Sequence, residues 1–154
     1  MIAIGIDVSK GKSTVAACKP FGEIVLGPLN VTHTSNDLKE LAESIKSLNE
    51  ECRIVLEHTG KYYQPIARYL FDLGYFVSVV NPKLIHDFGN NSIRNVKTDK
   101  ADSIKIANYA LANWDSLLPY DFEDDLRLQL KTCCRQYYFY LNYCTSLKDN
   151  LISI

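Results

Sequence analysis

The fold is indicated first by residues 1–31, which read MIAIGIDVSKGKSTVAACKPFGEIVLGPLNV. Isoleucines alternate with smaller or polar residues over 2–8, which is the period of a β-strand. Two turn signals, each containing a glycine, then separate two further strands, which we predict over 13–19 and 24–31. The stretch therefore predicts a three-stranded antiparallel meander.

The next segment predicts a helix and then a βαβ unit. Ser35 or Asn36 is the expected N-cap of the helix, whose apolar residues follow the helical period. A buried parallel strand is predicted over 54–56, a helix with Pro65 in its first turn comes next, and a returning strand covers 75–80. This order of elements is that of an RNase H-like α/β fold. We therefore expect a mixed five-stranded sheet with flanking helices, in which the first and fourth strands are neighbours.

Four carboxylates lie at the ends of these elements. Asp7 ends the first strand, Glu57 ends the fourth, and Asp99 and Asp102 lie one turn apart in a helix that Thr98 caps. Acids at the ends of apolar strands are costly unless something pairs with them, and hard divalent ions take carboxylate oxygens. Two ions about 3.5–4 Å apart would suit phosphodiester chemistry. The alternative is that Asp99 and Asp102 are helix caps, Asp7 begins a turn and Glu57 pairs with Lys61.

Composition describes an ordinary globular chain. Its 154 residues fit one domain, with 47% hydrophobic and 23% charged residues. The sequence has no charged-then-apolar leader and no long uncharged apolar run, so we expect neither export nor membrane insertion. Five cysteines without a CxxC pair fit a reducing cytoplasm better than a disulfide framework or a zinc site.

The net charge of −1 gives no global signal for nucleic acid. Two bound divalent ions would change this balance to +3, which would attract phosphate. Basic residues also gather beside the acids, and we predict that they bind nucleic acid: Lys10, Lys12, Lys61, Arg94, Lys97 and Lys100.

The end of the chain has a different pattern. From Leu126 the apolar residues step by three and four without a break, and no glycine or proline follows residue 120. The seam comprises Leu130, Cys133, Tyr137, Tyr140, Cys144, Leu147, Leu151 and Ile154. This period predicts that 121–154 begin a coiled-coil helix, cut before a further domain, and that 126–154 join two or more copies of the chain.

At these residues the chain closely resembles the DEDD transposases of the insertion-sequence family called "IS one-ten" and the related Piv-type DNA invertases. The matching stretches are Gly5-Ile-Asp-Val-Ser-Lys10, Leu56-Glu-His-Thr-Gly60, Val80-Asn-Pro82 and Lys97-Thr-Asp-Lys-Ala-Asp102. The resemblance implies a RuvC-like catalytic domain over 1–120, with Asp7, Glu57, Asp99 and Asp102 as the acidic tetrad. It also implies Mg²⁺ (with Mn²⁺ as a substitute), DNA strand cleavage and exchange, and a structured guide RNA. A second domain with a nucleophilic serine is expected beyond Ile154.

Three other functions are weighed against this one. A free-standing RuvC-like nuclease or Holliday junction resolvase would use the same sheet and acids. An actin-like kinase also ends its first strand in Asp, but the sequence after Asp7 lacks the required glycine-rich phosphate loop. The third is a non-enzymatic coiled-coil scaffold. His58, beside Glu57, is predicted to be a packing or hydrogen-bonding residue rather than a catalytic one.

Overall fold

A computed structural model of the protein describes residues 1–58, 60–88, 98–121 and 125–152. The strands over these residues are β1 (Ile2–Ser9), β2 (Lys12–Cys18), β3 (Ile24–Thr32), β4 (Cys52–Glu57) and β5 (Phe76–Val80). The helices are α1 (Ser35–Ser47), α2 (Gln64–Asp72), α3 (Pro82–Asp87), α4 (Asp99–Ala112) and α5 (Asp125–Ile152), with short 3₁₀ turns at Pro20–Gly22 and Trp114–Ser116.

The strands form one mixed sheet in the order β3-β2-β1-β4-β5. The first three strands are antiparallel, whereas β1, β4 and β5 run parallel. The predicted meander, the βαβ unit and the pairing of the first strand with the fourth are therefore confirmed. Because β1 and β4 are parallel, their carboxyl ends lie at the same edge of the sheet.

Helix α4 lies in backbone contact with β1 at Gly5. A Cβ atom on Gly5 would lie 2.2 Å from the carbonyl oxygen of Ser103 and 2.4 Å from the amide nitrogen of Ala107. Only a residue without a side chain allows a helix to come so close to a strand. Apolar residues of α4 and of the same face of the sheet continue this contact, and all of the following are completely buried: Ala3, Val55, Ile106, Ala107 and Ala110.

The opposite face of the sheet carries the larger apolar side chains. Strand alternation places Ile4 and Ile6 of β1 and Ile54 and Leu56 of β4 on this face, and all four are fully buried. Helix α1 packs beside β3, α2 packs beside β5, and the two helices contact each other. Together they cover this face, so the sheet is buried on both sides in the way typical of parallel strands.

The first helix begins one residue earlier than predicted. Thr34, not Ser35 or Asn36, is its N-cap, and the Thr34 side chain accepts a hydrogen bond from the backbone N–H of Asp37. Thr34 keeps the extended backbone of the preceding strand, whereas Ser35 is already helical. A cap needs this non-helical conformation, which the residue type alone does not reveal. The other predicted cap, Thr98, is confirmed.

The chain divides into two compact units, residues 1–120 and 121–154. The second unit contains α5, a single helix of 28 residues that carries many exposed apolar side chains. The predicted long helix is therefore present, while its pairing as a coiled coil stays a prediction. In the part of the chain that the structure describes, no helix is both long and apolar enough to cross a membrane.

Candidate metal-binding active site

Two of the four predicted acids lie side by side at the carboxyl edge of the sheet. Ile6 of β1 pairs with Leu56 of β4, so Asp7 and Glu57 are the next residues along the two neighbouring strands. Strand alternation places Asp7 on the same face as Gly5 and Glu57 on the same face as Val55, which is the face that α4 covers. Both acidic side chains are half-buried. The sequence pattern of a strand ending in an acid thus places two carboxylates on one face at one edge.

The other two acids come from the first turn of α4. The Thr98 side chain accepts a hydrogen bond from the backbone N–H of Ala101 at 3.2 Å and so fixes the start of this helix. Asp99 is exposed and Asp102 is half-buried. Because α4 lies directly on Gly5, its first turn is positioned beside the residue two places further along β1, which is Asp7.

All four acids line one pocket with a volume of about 420 Å³. The remaining lining residues come from β1, α3 and α4: Val8, Ser9, Pro82, Ile85, His86 and Lys105. Three segments that are far apart in the sequence therefore contribute carboxylates to the same space. Acids brought together in this way repel one another, so such a pocket favours a cationic ligand.

The donor chemistry of the pocket fits a hydrated divalent ion. Among the described residues no three His, Cys, Asp or Glu side chains are grouped closely enough to hold one ion between them. Mg²⁺ does not require such a group, because it keeps several waters and is usually bound by one or two carboxylates together with substrate phosphates. At about 30 Å³ for each water, a pocket of this volume has room for that hydration.

Besides the four acids, the ionisable lining residues are Lys105 and His86, and neither was predicted as a site residue from the sequence. The Lys105 ammonium group donates a hydrogen bond of 3.0 Å to the backbone carbonyl of His86. Lys105 follows Asp99 and Asp102 at intervals of three, so the period of α4 contained a signal for it. His86 is an exposed residue of α3, and nothing in its sequence surroundings marked it.

Those residues predicted to bind nucleic acid that the structure describes do not line the pocket. Four of them are described by the structure, and all four are exposed: Lys10, Lys12, Lys61 and Lys100. The other two, Arg94 and Lys97, lie outside the described residues. Lys105 is thus the one lysine or arginine that lines the pocket in the described part of the chain.

His58 makes packing contacts, as predicted. Its ring lies 5.1 Å from the ring of buried Tyr63, and its backbone N–H bonds to the carbonyl of Val80. Tyr63 in turn shares a hydroxyl–hydroxyl hydrogen bond of 2.8 Å with Tyr120. The His58 side chain therefore belongs to an aromatic group beside the site and is not among the residues that line the pocket.

Comparison with known proteins assigns the family. A family model described as "Transposase", that of the IS110-type DEDD transposases, matches residues 4–154. The chain belongs to this transposase family. It is 29% identical over 109 residues to the pilin gene-inverting protein of Moraxella bovis, and 36% identical over 56 residues to that of Moraxella lacunata. The two alignments cover 69% and 36% of the chain, but only 33% and 17% of those proteins.

The fold of this IS110-type domain is that of RuvC. Two structures of RuvC from Thermus thermophilus, one in complex with a Holliday junction substrate, each align with a TM-score of 0.57. Each alignment covers 78% of this chain, with 99% of the RuvC chain covered in the complex and 100% in the other structure. The identities are 13% and 12%, so the likeness is one of fold. The chain thus combines membership of the IS110-type transposase family with a RuvC-like fold.

Proposed function

We propose that this chain supplies the catalytic domain of a DNA transposase or site-specific recombinase, which cleaves and exchanges DNA strands with the help of Mg²⁺. The observation that carries the proposal is the pocket where carboxylates from β1, β4 and α4 meet at one edge of the sheet. Membership of the transposase family and the RuvC-like fold support DNA strand cleavage and exchange as the reaction at this pocket.

The four acids that would bind the ions are held by two kinds of structural element. Asp7 and Glu57 are fixed by two adjacent, paired strands, so their backbone positions are rigid relative to each other. Asp99 and Asp102 are fixed by a capped helix start, where the positive end of the helix dipole favours negative charge. When bound, divalent ions would polarise a DNA phosphate and activate the attacking oxygen. Mn²⁺ is expected to substitute for Mg²⁺, because both accept carboxylate oxygens.

The wider assembly is also part of the proposal. Residues 1–120 would form the catalytic domain, and 121–154 would begin a coiled coil that joins copies of the protein ahead of a serine-bearing second domain. DNA, both element ends and target, would be the substrate, contacted by the basic residues predicted from the sequence, and a structured guide RNA would be a partner. The relatives named for pilin gene inversion support a role in DNA rearrangement. The five free cysteines fit the reducing cytoplasm as its location.

Metal binding is tested by melting this chain in EDTA and in Mn²⁺. An ion that binds only the folded protein at a hundredfold excess over its Kd adds about 2.7 kcal/mol of stability. For a domain of this size the expected rise in Tm is on the order of 5 °C or more.

Two variants test whether the response of Tm to Mn²⁺ depends on the carboxylates of the pocket. Asp102→Asn should melt higher than the wild type in EDTA, because one repelling charge is removed, and should respond less to Mn²⁺. Asp115→Asn is the matched control, since Asp115 is exposed in the 3₁₀ turn after α4 and does not line the pocket. If Mn²⁺ does not raise the Tm of the wild type, Asp99 and Asp102 are helix caps and not metal ligands.

Catalysis is tested in a complete transposase that carries this chain. Asp7→Asn should abolish strand cleavage and leave the circular dichroism spectrum unchanged, and retained cleavage would contradict the tetrad assignment. The second candidate function, a free-standing junction nuclease, is favoured by the fact that nearly all of RuvC aligns with this chain. Cleavage of branched DNA by residues 1–154 alone would support it over the transposase.

A further inference from the structure

We propose that Lys105 binds the DNA phosphate that enters the carboxylate pocket. The inference rests on the proposed function, because it assigns a substrate contact to the same site. Its starting point is the position of Lys105 on α4, three residues after Asp102 and six after Asp99, among the residues that line the pocket. One helix thus presents two carboxylates and one ammonium group to the same space.

The hydrogen bond to His86 holds the ammonium group at the boundary between α3 and α4. Its acceptor is a backbone carbonyl of α3, whose position does not depend on a side-chain rotamer. Pro82, Ile85 and His86 of α3 also line the pocket, so the bond joins two of its walls. An ammonium group has three donors and the His86 bond uses one, which leaves capacity for the oxygens of a phosphate.

The net charge of the pocket with its ligands bound gives a reason for a positively charged side chain beside the four acids. Four ionised carboxylates carry −4, and two divalent ions would bring the pocket to zero. A phosphodiester brings one further negative charge, and among the described residues Lys105 is the lysine that lines the pocket and can meet it. The same positive charge opposes metal ions in the pocket. Removal of the charge should therefore weaken DNA binding without weakening metal binding, and this pair of effects separates a phosphate contact from a merely structural tether.

The experiment measures DNA affinity by fluorescence anisotropy with the 154-residue chain, a labelled DNA duplex and Mn²⁺, over a series of KCl concentrations. Lys105→Gln should lower affinity about tenfold at moderate salt, because it removes one charge-assisted bond. The slope of log K against log [KCl] should also become shallower by about 0.9, the value for one lost phosphate contact. Lys105→Arg should restore both, since a guanidinium group binds phosphate.

Lys39→Gln is the matched control, because Lys39 is an exposed lysine of α1 on the far side of the sheet from α4. It should leave affinity and slope at their wild-type values. A parallel Mn²⁺ titration, read by thermal melting, should show that Lys105→Gln binds the ion at least as tightly as the wild type. Melting in EDTA reports whether each variant is folded.

The outcomes distinguish this inference from the proposed function. If the wild type responds to Mn²⁺ and binds DNA, but Lys105→Gln keeps the wild-type affinity and salt slope, the phosphate contact is wrong and the metal site stands. If Lys105→Gln and Lys105→Arg lose DNA affinity and Mn²⁺ response together, Lys105 is a tether between helices rather than a phosphate ligand. A wild type that responds to neither Mn²⁺ nor DNA overturns the proposed function and this inference with it.

Discussion

Gly5→Ala tests whether the contact between α4 and β1 positions the acids. The new methyl group would lie 2.2 Å and 2.4 Å from two backbone atoms of α4, and neither atom can turn away as a side chain could. The helix would have to retreat by about 1 Å to restore ordinary van der Waals separation. Overpacking of this kind costs about 1–3 kcal/mol, so we expect Tm to fall by about 5–15 °C. Because Asp99 and Asp102 move with the helix, the Mn²⁺-induced rise in Tm should also shrink.

The assay is thermal melting of the wild type, Gly5→Ala and Gly74→Ala, each in EDTA and in Mn²⁺. Gly74 is the control because its φ of +86° disfavours alanine while no atom lies within 4 Å of the new methyl group. Gly74→Ala should therefore lose about 1 kcal/mol or somewhat more through backbone strain, and keep the full Mn²⁺ response. If Gly5→Ala melts within about 2 °C of the wild type and responds fully to Mn²⁺, the close approach of helix and strand does not position the site.

Three further predictions concern other parts of the molecule. The Arg53 guanidinium lies 4.8 Å from the ring of Phe76 and 4.6 Å from that of Trp114, so Arg53→Met should lower the free energy of unfolding by about 1–3 kcal/mol in urea titration. Lys19 and the N-terminal ammonium group hold the pKa of Glu50 at about 2, below its ordinary 4.5. The resulting stabilisation is complete above pH 4.5 and disappears as the pH falls to 2, so any advantage in Tm over Glu50→Gln should vanish in that window, and a constant difference would contradict the assignment. Light scattering should give a dimer or larger for the intact chain and a monomer without α5, and equal monomer masses would count against the coiled coil.

Local patterns in the sequence were sufficient for most of the elements. Alternation identified β1, and Pro65 and Gly74 marked the beginning and end of α2. Thr98 identified the start of α4, because a threonine before a helical pattern has a specific hydrogen bond to make. The first helix was placed one residue late, since Thr34, Ser35 and Asn36 are all acceptable caps and only the path of the chain leaving β3 chooses among them.

The four acids of the candidate site were predictable from the sequence, whereas the other residues that line the pocket were not. Asp7, Glu57, Asp99 and Asp102 all occur where an element begins or ends, and the structure brings all four to one pocket. The lysines chosen for their nearness in sequence that the structure describes are exposed and do not line the pocket. Nearness along a strand or turn does not determine which way a long, flexible side chain extends, so it did not identify Lys105 as a lining residue.

The sequence by itself determined the order of strands and helices, the sheet that follows from this order and the acids at the ends of its elements, because period and capping are local properties of the chain. The tertiary structure decided what depends on distance between remote segments. The importance of Gly5 became visible only when α4 lay on β1, since a glycine in a strand does not say which backbone approaches it. In the same way, Lys105 and the His86 carbonyl meet only because α3 and α4 form two walls of one pocket, a contact between residues that no local pattern connects.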